Sequence, residues 1–141
     1  MKTVIFACVH NAGRSQMAAA WFNRLANPSK AQAISAGTQP SNQVHPVVID
    51  VMREKAFDLT KAQPQKLTRE LAAGASYLVT MGCGEECPYI PGVPILDWPL
   101  PDPKGQDIGA VREIRDDIER RVKAFVEEIS RDADASTQGG Q

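Results

Sequence analysis

The 141-residue sequence has no excess of either charge and no long apolar run. It carries 16 lysines and arginines against 17 aspartates and glutamates, so its net charge favours neither nucleic acid nor an anionic membrane surface as a partner. No apolar stretch approaches the ~20 residues of a membrane-spanning helix. The apolar segment that follows Met1 and Lys2 is also too short for a secretion signal. These absences predict a protein that binds neither nucleic acid nor membrane.

The sequence is also poor in cysteine and histidine. Its three cysteines are an odd number, which fits a reducing compartment better than a disulfide scaffold, and we expect a cytoplasmic location. Cys83 and Cys87 have no histidine nearby in the sequence, so a metal site is not expected, and no cofactor is expected either. The length suits one domain. We place this domain at residues 1–130 and expect residues 131–141 to form a flexible polar tail.

Short β-branched runs alternate with segments of helical periodicity along the chain. The runs predict strands at residues 3–7, 33–35, 77–81 and 95–96. Helices are expected at residues 16–25, from residue 46 onward, at 64–73 and at 108–129, the last having the clearest repeat of threes and fours. Strands that alternate with helices predict an α/β fold. We expect a single-domain, parallel, four-stranded sheet with helices on both faces.

The segment Cys8-Val9-His10-Asn11-Ala12-Gly13-Arg14-Ser15 separates the first strand from the first helix. A loop of this kind can aim several backbone N–H groups at one oxyanion, while the helix N-terminus adds partial positive charge. Arg14 would supply a planar fork of donors, and the same field favours thiolate over thiol at Cys8. The alternative is a buried cysteine near a surface arginine. The strand–loop–helix context favours a nucleophile beside an anion site.

Other polar residues near this loop have two interpretations each. The Ser15 hydroxyl could cap the helix or donate a hydrogen bond to the Cys8 sulfur. His45 stands just before a helix and is interpreted as structural, although it could act on a substrate. His10 has no evident carboxylate to orient it, so we interpret its ring as loop surface.

Three features follow predicted strand ends, and ligands of parallel sheets bind at that edge. They are Cys8, Cys83 and Asp102. Asp102 lies on a proline-rich loop and could protonate a leaving oxygen. Asp97 and Asp107 are competitors for that role, and each of the three could instead be a solvated charge or a helix cap.

Cys83 and Cys87 form a spaced pair beside residues that favour rearrangement. Four positions apart on a helix, two Cβ atoms are about 5–6 Å apart, whereas a disulfide needs roughly 3.5–4.5 Å. Bond formation would therefore unwind a helical segment, and Gly82, Gly84 and Pro88 would permit this. The pair is interpreted as redox-active, with two ordinary cysteines as the alternative.

Several segments, taken together and in order, resemble arsenate reductases related to low-molecular-weight protein tyrosine phosphatases. They are residues 8–18, 34–38, the surroundings of His45-Pro46, 79–83 with Cys87-Pro88, and Asp102-Pro103. The resemblance spans about residues 3–129 and implies the phosphatase-like fold and arsenate as substrate. It implies Asp102 as the acid, Asn11 as the residue that holds an unusual loop turn, and Ser15 as the donor to the thiolate. Substrate would be bound by Val9, His10, Asn11, Ala12, Gly13, Arg14 and Ser15.

The same resemblance implies a thiol cascade. Cys8 would form the arsenic adduct, Cys83 would attack Cys8, and Cys87 would then attack Cys83, leaving a disulfide that thioredoxin or an equivalent dithiol reduces. Some relatives bind potassium through a glutamate where this chain has Ala19, so that ion is not expected here.

Two other functions remain open at this level. A tyrosine phosphatase would need only Cys8, Arg14 and Asp102, although Gln16 replaces the usual proline and Lys104-Gly105 replaces the usual tyrosine. A non-catalytic arsenite-binding or redox-sensing protein would use the thiols but leave the Arg14 loop unexplained.

Overall fold

The computed structural model describes residues 1–82 and 90–139, with side chains described up to residue 131. In this part of the chain four parallel strands form one sheet. They are β1 (Lys2–Cys8), β2 (Ala31–Gly37), β3 (Tyr77–Thr80) and β4 (Ile95–Asp97), in the order β2-β1-β3-β4. The predicted parallel four-stranded sheet is therefore confirmed.

Helices cover both faces of this sheet. They are α1 (Arg14–Leu25), α2 (Pro46–Arg53), α3 (Arg69–Ala72) and α4 (Ile108–Gly139). Side chains of β1 alternate between the two faces, as extended backbone requires. Val4 and Phe6 pack in the core formed with α1, α2 and α4, whereas Ile5 and Ala7 pack in a smaller core with Leu67 and Ala72.

The helix predicted at 64–73 is only a single turn in the structure, so the prediction was wrong about its length. Residues 65–67 pair with the sheet edge instead: the N–H of Gly37 donates to Gln65 O (2.9 Å), and the N–H of Leu67 donates to Gly37 O (2.8 Å). The helix begins only after Thr68, whose side chain caps the N–H of Leu71. Because backbone groups of residues 65–67 bond to another segment, they cannot bond within a helix.

Helix α4 continues from Ile129 to Gly139, ten residues beyond the end that the apolar repeat predicts. Residues 131–137 contain neither glycine nor proline, and two of them are alanines, so the backbone has no local reason to leave the helix. The flexibility of this terminal segment stays a prediction. Among the described residues, no helix has the length and hydropathy needed to span a bilayer.

Candidate active site

The sheet delivers Cys8 to the edge where its strands end. Cys8 is the last residue of β1, pairs in register with Gly37 of β2 and is buried. A Cβ atom at Gly37 would lie only 2.5 Å from the carbonyl oxygen of Val9. The close approach of the two backbones therefore requires glycine at position 37 and fixes where the loop of residues 9–13 begins.

The carbonyl groups of this loop all face away from it. Each carbonyl from residue 9 to residue 13 accepts a hydrogen bond from a partner outside the loop. In order, the donors are the backbone N–H of Gln39 (2.8 Å), the backbone N–H of Ser41 (2.9 Å), the side-chain amide of Gln16 (3.0 Å), the backbone N–H of His45 (2.9 Å) and the backbone N–H of Met17 (3.0 Å).

In a planar trans peptide the carbonyl and the next N–H point in opposite directions, and the described chain has no cis peptide bond. Outward carbonyls at residues 9–13 therefore turn the N–H groups of residues 10–14 inward. None of these five N–H groups donates to another described residue. The loop can thus offer several donors to one oxyanion, as the sequence predicts.

Asn11 connects the loop backbone to the nucleophile. It adopts a left-handed conformation (φ +51°), which asparagine tolerates better than most residues. Its Nδ2 donates to Oγ of Ser15 (2.7 Å), and Oγ lies 2.9 Å from Sγ of Cys8. Because Oγ already accepts from Asn11, its own proton is free to be donated to the sulfur, which stabilises a thiolate. No side chain caps the N-terminus of α1, so the geometry favours the interpretation of Ser15 as a donor to Cys8.

Arg14 is a buried cation held by backbone carbonyls. Its Nη1 donates to Met81 O (2.6 Å) and to Leu100 O (3.0 Å). Its Nη2 lies 3.9 Å from Oδ2 of Asp102, and its buried Nε has no hydrogen-bond partner in the described part of the chain. A buried guanidinium with an unpaired nitrogen is a suitable partner for an anion.

Asp102 is far more exposed than Arg14, with 46% of its side chain accessible against 7%. Its Oδ1 accepts a hydrogen bond from the N–H of Lys104 (3.0 Å). The following Pro103 packs against the anion loop, because a Cβ atom at Gly13 would lie 2.6 Å from its Cγ. This packing fixes the Asp102 backbone beside the loop and leaves the carboxyl group open to a substrate.

The two competing aspartates have structural partners instead. Oδ1 of Asp97 accepts from the Thr80 hydroxyl (2.8 Å), which joins the ends of β4 and β3. Oδ1 of Asp107 accepts from the N–H of Ala110 (2.8 Å) at the start of α4, as a helix cap does. The geometry therefore singles out Asp102, which alone lies near Arg14.

Both histidines border the loop. The His45 backbone holds the Ala12 carbonyl, and its ring would lie 3.5 Å from a Cβ atom at Gly13. Burial lowers the pKa of His45 below 6.5, and the nearby Asp102 charge opposes this shift only in part. His45 is therefore mainly neutral at neutral pH. Nδ1 of His10 lies 3.1 Å from Gln39 O, and no described carboxylate contacts the ring.

The structure brings Cys8, Arg14, Ser15, Asp102 and the loop residues 9–13 to one edge of the sheet. Cys83 and Cys87 lie outside the described residues, so their predicted roles stay predictions. Among the residues that are described, no group of three or more His, Cys, Asp and Glu side chains could hold a metal ion.

Sequence reasoning missed two contributors to this site. Gln16 is buried and donates to the Asn11 backbone, although the sequence marked it only as part of the matching segment 8–18 and as a departure from the tyrosine phosphatases. Gly82 has φ +91°, and a Cβ atom there would lie 2.8 Å from Nη1 of Arg14. The sequence indicated only a flexible position before Cys83. Neither contact could be foreseen, since each depends on where a distant or looped segment folds back.

Residues 3–135 match the family described as low molecular weight phosphotyrosine protein phosphatase. A putative arsenate reductase of Halobacterium salinarum is 38% identical over 131 residues, covering 90% of this chain and 92% of the relative. A glutaredoxin arsenate reductase of Synechocystis is 31% identical over 133 residues, covering 92% of this chain and 100% of the relative.

Solved structures agree with these relatives. A thioredoxin-dependent arsenate reductase of Corynebacterium glutamicum superposes with a TM-score of 0.79 at 37% identity, covering 92% of this chain. The present chain spans 62% of that longer one. An arsenate reductase of Archaeoglobus fulgidus superposes with a TM-score of 0.75 at 31% identity, covering 88% of this chain and 98% of that one. The resemblance stated from the sequence is thus confirmed.

Proposed function

The chain belongs to the low molecular weight phosphotyrosine protein phosphatase family, and we propose that it is an arsenate reductase that uses Cys8 as nucleophile. The choice of arsenate follows the names of the relatives that cover nearly the whole chain. The chemistry follows one observation, the 2.9 Å contact between Sγ of Cys8 and Oγ of Ser15 beside a loop whose carbonyls all face outward. This arrangement supports a thiolate and an oxyanion in adjacent positions.

In the first step the Cys8 thiolate attacks arsenic(V) held by the loop N–H groups and Arg14. A sulfur–arsenic bond forms and an arsenic–oxygen bond breaks. Asp102, in its protonated form, gives its proton to the departing oxygen, so that a neutral leaving group departs. The fixed Arg14 and the loop donors need little reorganisation, which favours the charged transition state.

In the second step Cys83 attacks the sulfur of Cys8. A disulfide bond forms, the sulfur–arsenic bond breaks, and its electron pair stays with arsenic, which leaves as arsenite. Cys87 then attacks Cys83, which releases the Cys8 thiolate and leaves a Cys83–Cys87 disulfide. This cascade rests on the sequence, because both resolving cysteines lie outside the described residues.

A dithiol protein of the thioredoxin type completes the cycle by reducing the Cys83–Cys87 disulfide. The relatives differ in this respect: the name of one includes glutaredoxin, and another is described as thioredoxin-dependent. Because Cys87 resolves the Cys8–Cys83 disulfide within the chain, only the Cys83–Cys87 disulfide has to be reduced from outside. A dithiol protein is sufficient for this step, so we propose thioredoxin. The reaction also needs reduced thiols at rest, which supports a cytoplasmic location.

A phosphatase that uses the same loop is the second candidate, because Cys8, Arg14 and Asp102 would serve a phosphate ester equally well. The two functions differ in their need for electrons. Repeated arsenite formation should require a thioredoxin system, and it should stop after about one arsenite per chain in a Cys87→Ser variant. Phosphate-ester hydrolysis that needs no reductant and exceeds arsenate reduction would favour the phosphatase instead.

The experiment is steady-state turnover with thioredoxin, thioredoxin reductase and NADPH, in which arsenite and NADPH consumption are both measured. The expected ratio is one NADPH per arsenite. Cys8→Ser serves as the control, because it removes the nucleophile from the loop. NADPH consumption without arsenite, or arsenite formation by Cys8→Ser, would contradict the proposed function.

A further inference from the structure

Gln16 differs from the other residues that hold the anion loop, because it binds a loop carbonyl through its side chain. Of the five outward carbonyls in residues 9–13, four are fixed by backbone N–H groups, which any residue except proline supplies. The carbonyl of Asn11 is instead fixed by a side chain, Nε2 of Gln16 at 3.0 Å. A single substitution can therefore release this peptide and leave the other four in place.

The peptide that Gln16 fixes follows Asn11, a residue with an unusual backbone conformation. Asn11 is left-handed at φ +51°, a conformation that is less favourable for asparagine than for glycine and benefits from support by its surroundings. The amide of Gln16 also lies 3.3 Å from Oδ1 of Asn11, which accepts the N–H of Gln65 at 2.9 Å as well. Gln16 thus contacts both the backbone and the side chain of the strained residue.

The consequence for the loop follows from peptide geometry. While Nε2 of Gln16 holds the Asn11 carbonyl outward, the N–H of Ala12 must point inward. Without that bond the peptide between Asn11 and Ala12 could rotate, and its carbonyl oxygen would then face the oxyanion. A repulsive acceptor would replace one attractive donor.

We propose that Gln16 is a positioning residue that sets the oxyanion affinity of the loop by holding the Asn11–Ala12 peptide with its N–H turned inward. Gln16 acts through Asn11, and its shorter contact is with the carbonyl of this peptide (3.0 Å). The inference rests on the proposed function only for the choice of arsenate as the anion. Inorganic phosphate is a tetrahedral oxyanion of the same shape and tests the loop independently of any reduction.

The test compares anion binding in three variants. Gln16→Met has similar length but no donor, and Gln16→Glu has nearly the same shape but presents only acceptors. The matched control is Gln65→Met, because the Gln65 side chain donates to Ser35 O while its backbone N–H, which serves Asn11, is retained. Binding is measured as protection of Cys8 from iodoacetamide by phosphate and by arsenate.

We expect Gln16→Met to bind both anions about 10-fold more weakly than wild type, and Gln16→Glu to bind them more weakly still, since the anion loses one hydrogen-bond donor and gains a facing acceptor. Gln65→Met should bind as wild type does. The alkylation rate without anion should change little in Gln16→Met and Gln65→Met, because the Ser15 hydroxyl remains beside Cys8, whereas the added negative charge of Gln16→Glu should slow it by disfavouring the thiolate. A general loss of structure would instead change this rate and lower the melting temperature.

Binding within twofold of wild type in both Gln16 variants would overturn the inference. A second measurement does not depend on how the variants fold: in wild-type protein labelled with ¹⁵N, phosphate should shift the amide resonance of Ala12. An unmoved Ala12 resonance while phosphate protects Cys8 would also overturn it. Wild-type protein that binds phosphate but forms no arsenite would contradict the proposed function and leave the inference on Gln16 intact.

Discussion

A Cβ atom at Gly82 would lie 2.8 Å from Nη1 of Arg14. The same Nη1 donates to the carbonyl of Met81, the residue before Gly82. The backbone at Gly82, just before Cys83, therefore runs directly against the guanidinium of the proposed oxyanion site. This contact links the anion site to the segment that carries the proposed redox pair.

We predict that Gly82→Ala lowers the rate of arsenate reduction by more than its effect on fold stability can explain. Alanine at φ +91° is strained, and its methyl group would displace Arg14. Since a misplacement of ~1 Å can cost about 10²-fold in rate, arsenate reduction should fall by one to two orders of magnitude. The control is Gly74→Ala, which has φ +79° but no atom within 4 Å of the new methyl group. It should lower the melting temperature to a similar extent and keep its activity; an equal loss of activity in both variants would mean that backbone strain alone matters.

Ser15→Ala should make Cys8 less reactive at mildly acidic pH. The substitution removes the hydroxyl 2.9 Å from the sulfur and should slow alkylation at about pH 6 by roughly 10-fold, the loss expected for one hydrogen bond to a charged group. Thr38→Val is the matched control, because the Thr38 hydroxyl is buried but has no partner among the described residues. Unchanged alkylation of Ser15→Ala would show that Ser15 does not stabilise the thiolate.

Asp102→Asn should slow the first chemical step by ~10²–10⁴, the usual cost of losing a general acid. Phosphate binding should persist, because Arg14 and the loop are unchanged. Asp97→Asn is the control: it weakens only the hydrogen bond with Thr80 at the strand ends. Rapid-quench measurement of the Cys8 adduct separates chemistry from later steps. The assignment of the acid would be wrong if Asp97→Asn were the slower of the two variants.

Glu54 should make the free energy of unfolding depend on pH in the acid range. Hydrogen bonds from Arg112 (2.7 Å) and Arg115 (2.6 Å) lower the pKa of Glu54 from 4.5 to about 2. Because the folded-state pKa is lowered, this stabilisation is complete above pH 4.5 and is lost as the pH falls toward 2. Glu54→Gln should therefore lower the melting temperature at pH 7, and the difference from wild type should shrink below pH 4.

The matched control for this prediction is Asp50→Asn in α2, the helix that ends just before Glu54; the exposed ion pair of Asp50 with Arg53 measures 3.7 Å. Exposed pairs of this kind contribute little, so its melting temperature should stay close to that of wild type. A difference between Glu54→Gln and wild type that stays constant from pH 7 to pH 3 would show that packing, and not charge, is lost.

The parts of the fold that depend on local sequence were predictable. β1 and α1 follow from an apolar run and the helix-forming residues after it, although α1 begins at Arg14 and not at residue 16 as expected. Pro46 correctly marks the start of α2. The length of the helix expected at 64–73 was overestimated because Gln65 and Leu67 bond to Gly37, a partner 28 and 30 residues away. No local pattern reveals such a competitor.

The candidate site also combines residues that the sequence predicts with residues that it does not. The nucleophile, the arginine and the aspartate follow from residue type and position near strand ends. The supports of the loop do not, since the carbonyls of Val9, His10 and Ala12 are held by segments more than 25 residues away. Gln16 is near in sequence, yet its role depends on the left-handed turn at Asn11, which only the folded backbone shows.

A single turnover without any reductant tests the central claim most directly. Fully reduced protein is mixed with excess arsenate, arsenite is counted per chain, and the disulfide is located by peptide mapping under acid quench. We predict about one arsenite per chain and a Cys83–Cys87 disulfide in wild type, and a trapped Cys8–Cys83 disulfide in Cys87→Ser. Failure to form arsenite, or a wild-type product in which Cys87 is still a free thiol, would contradict the account.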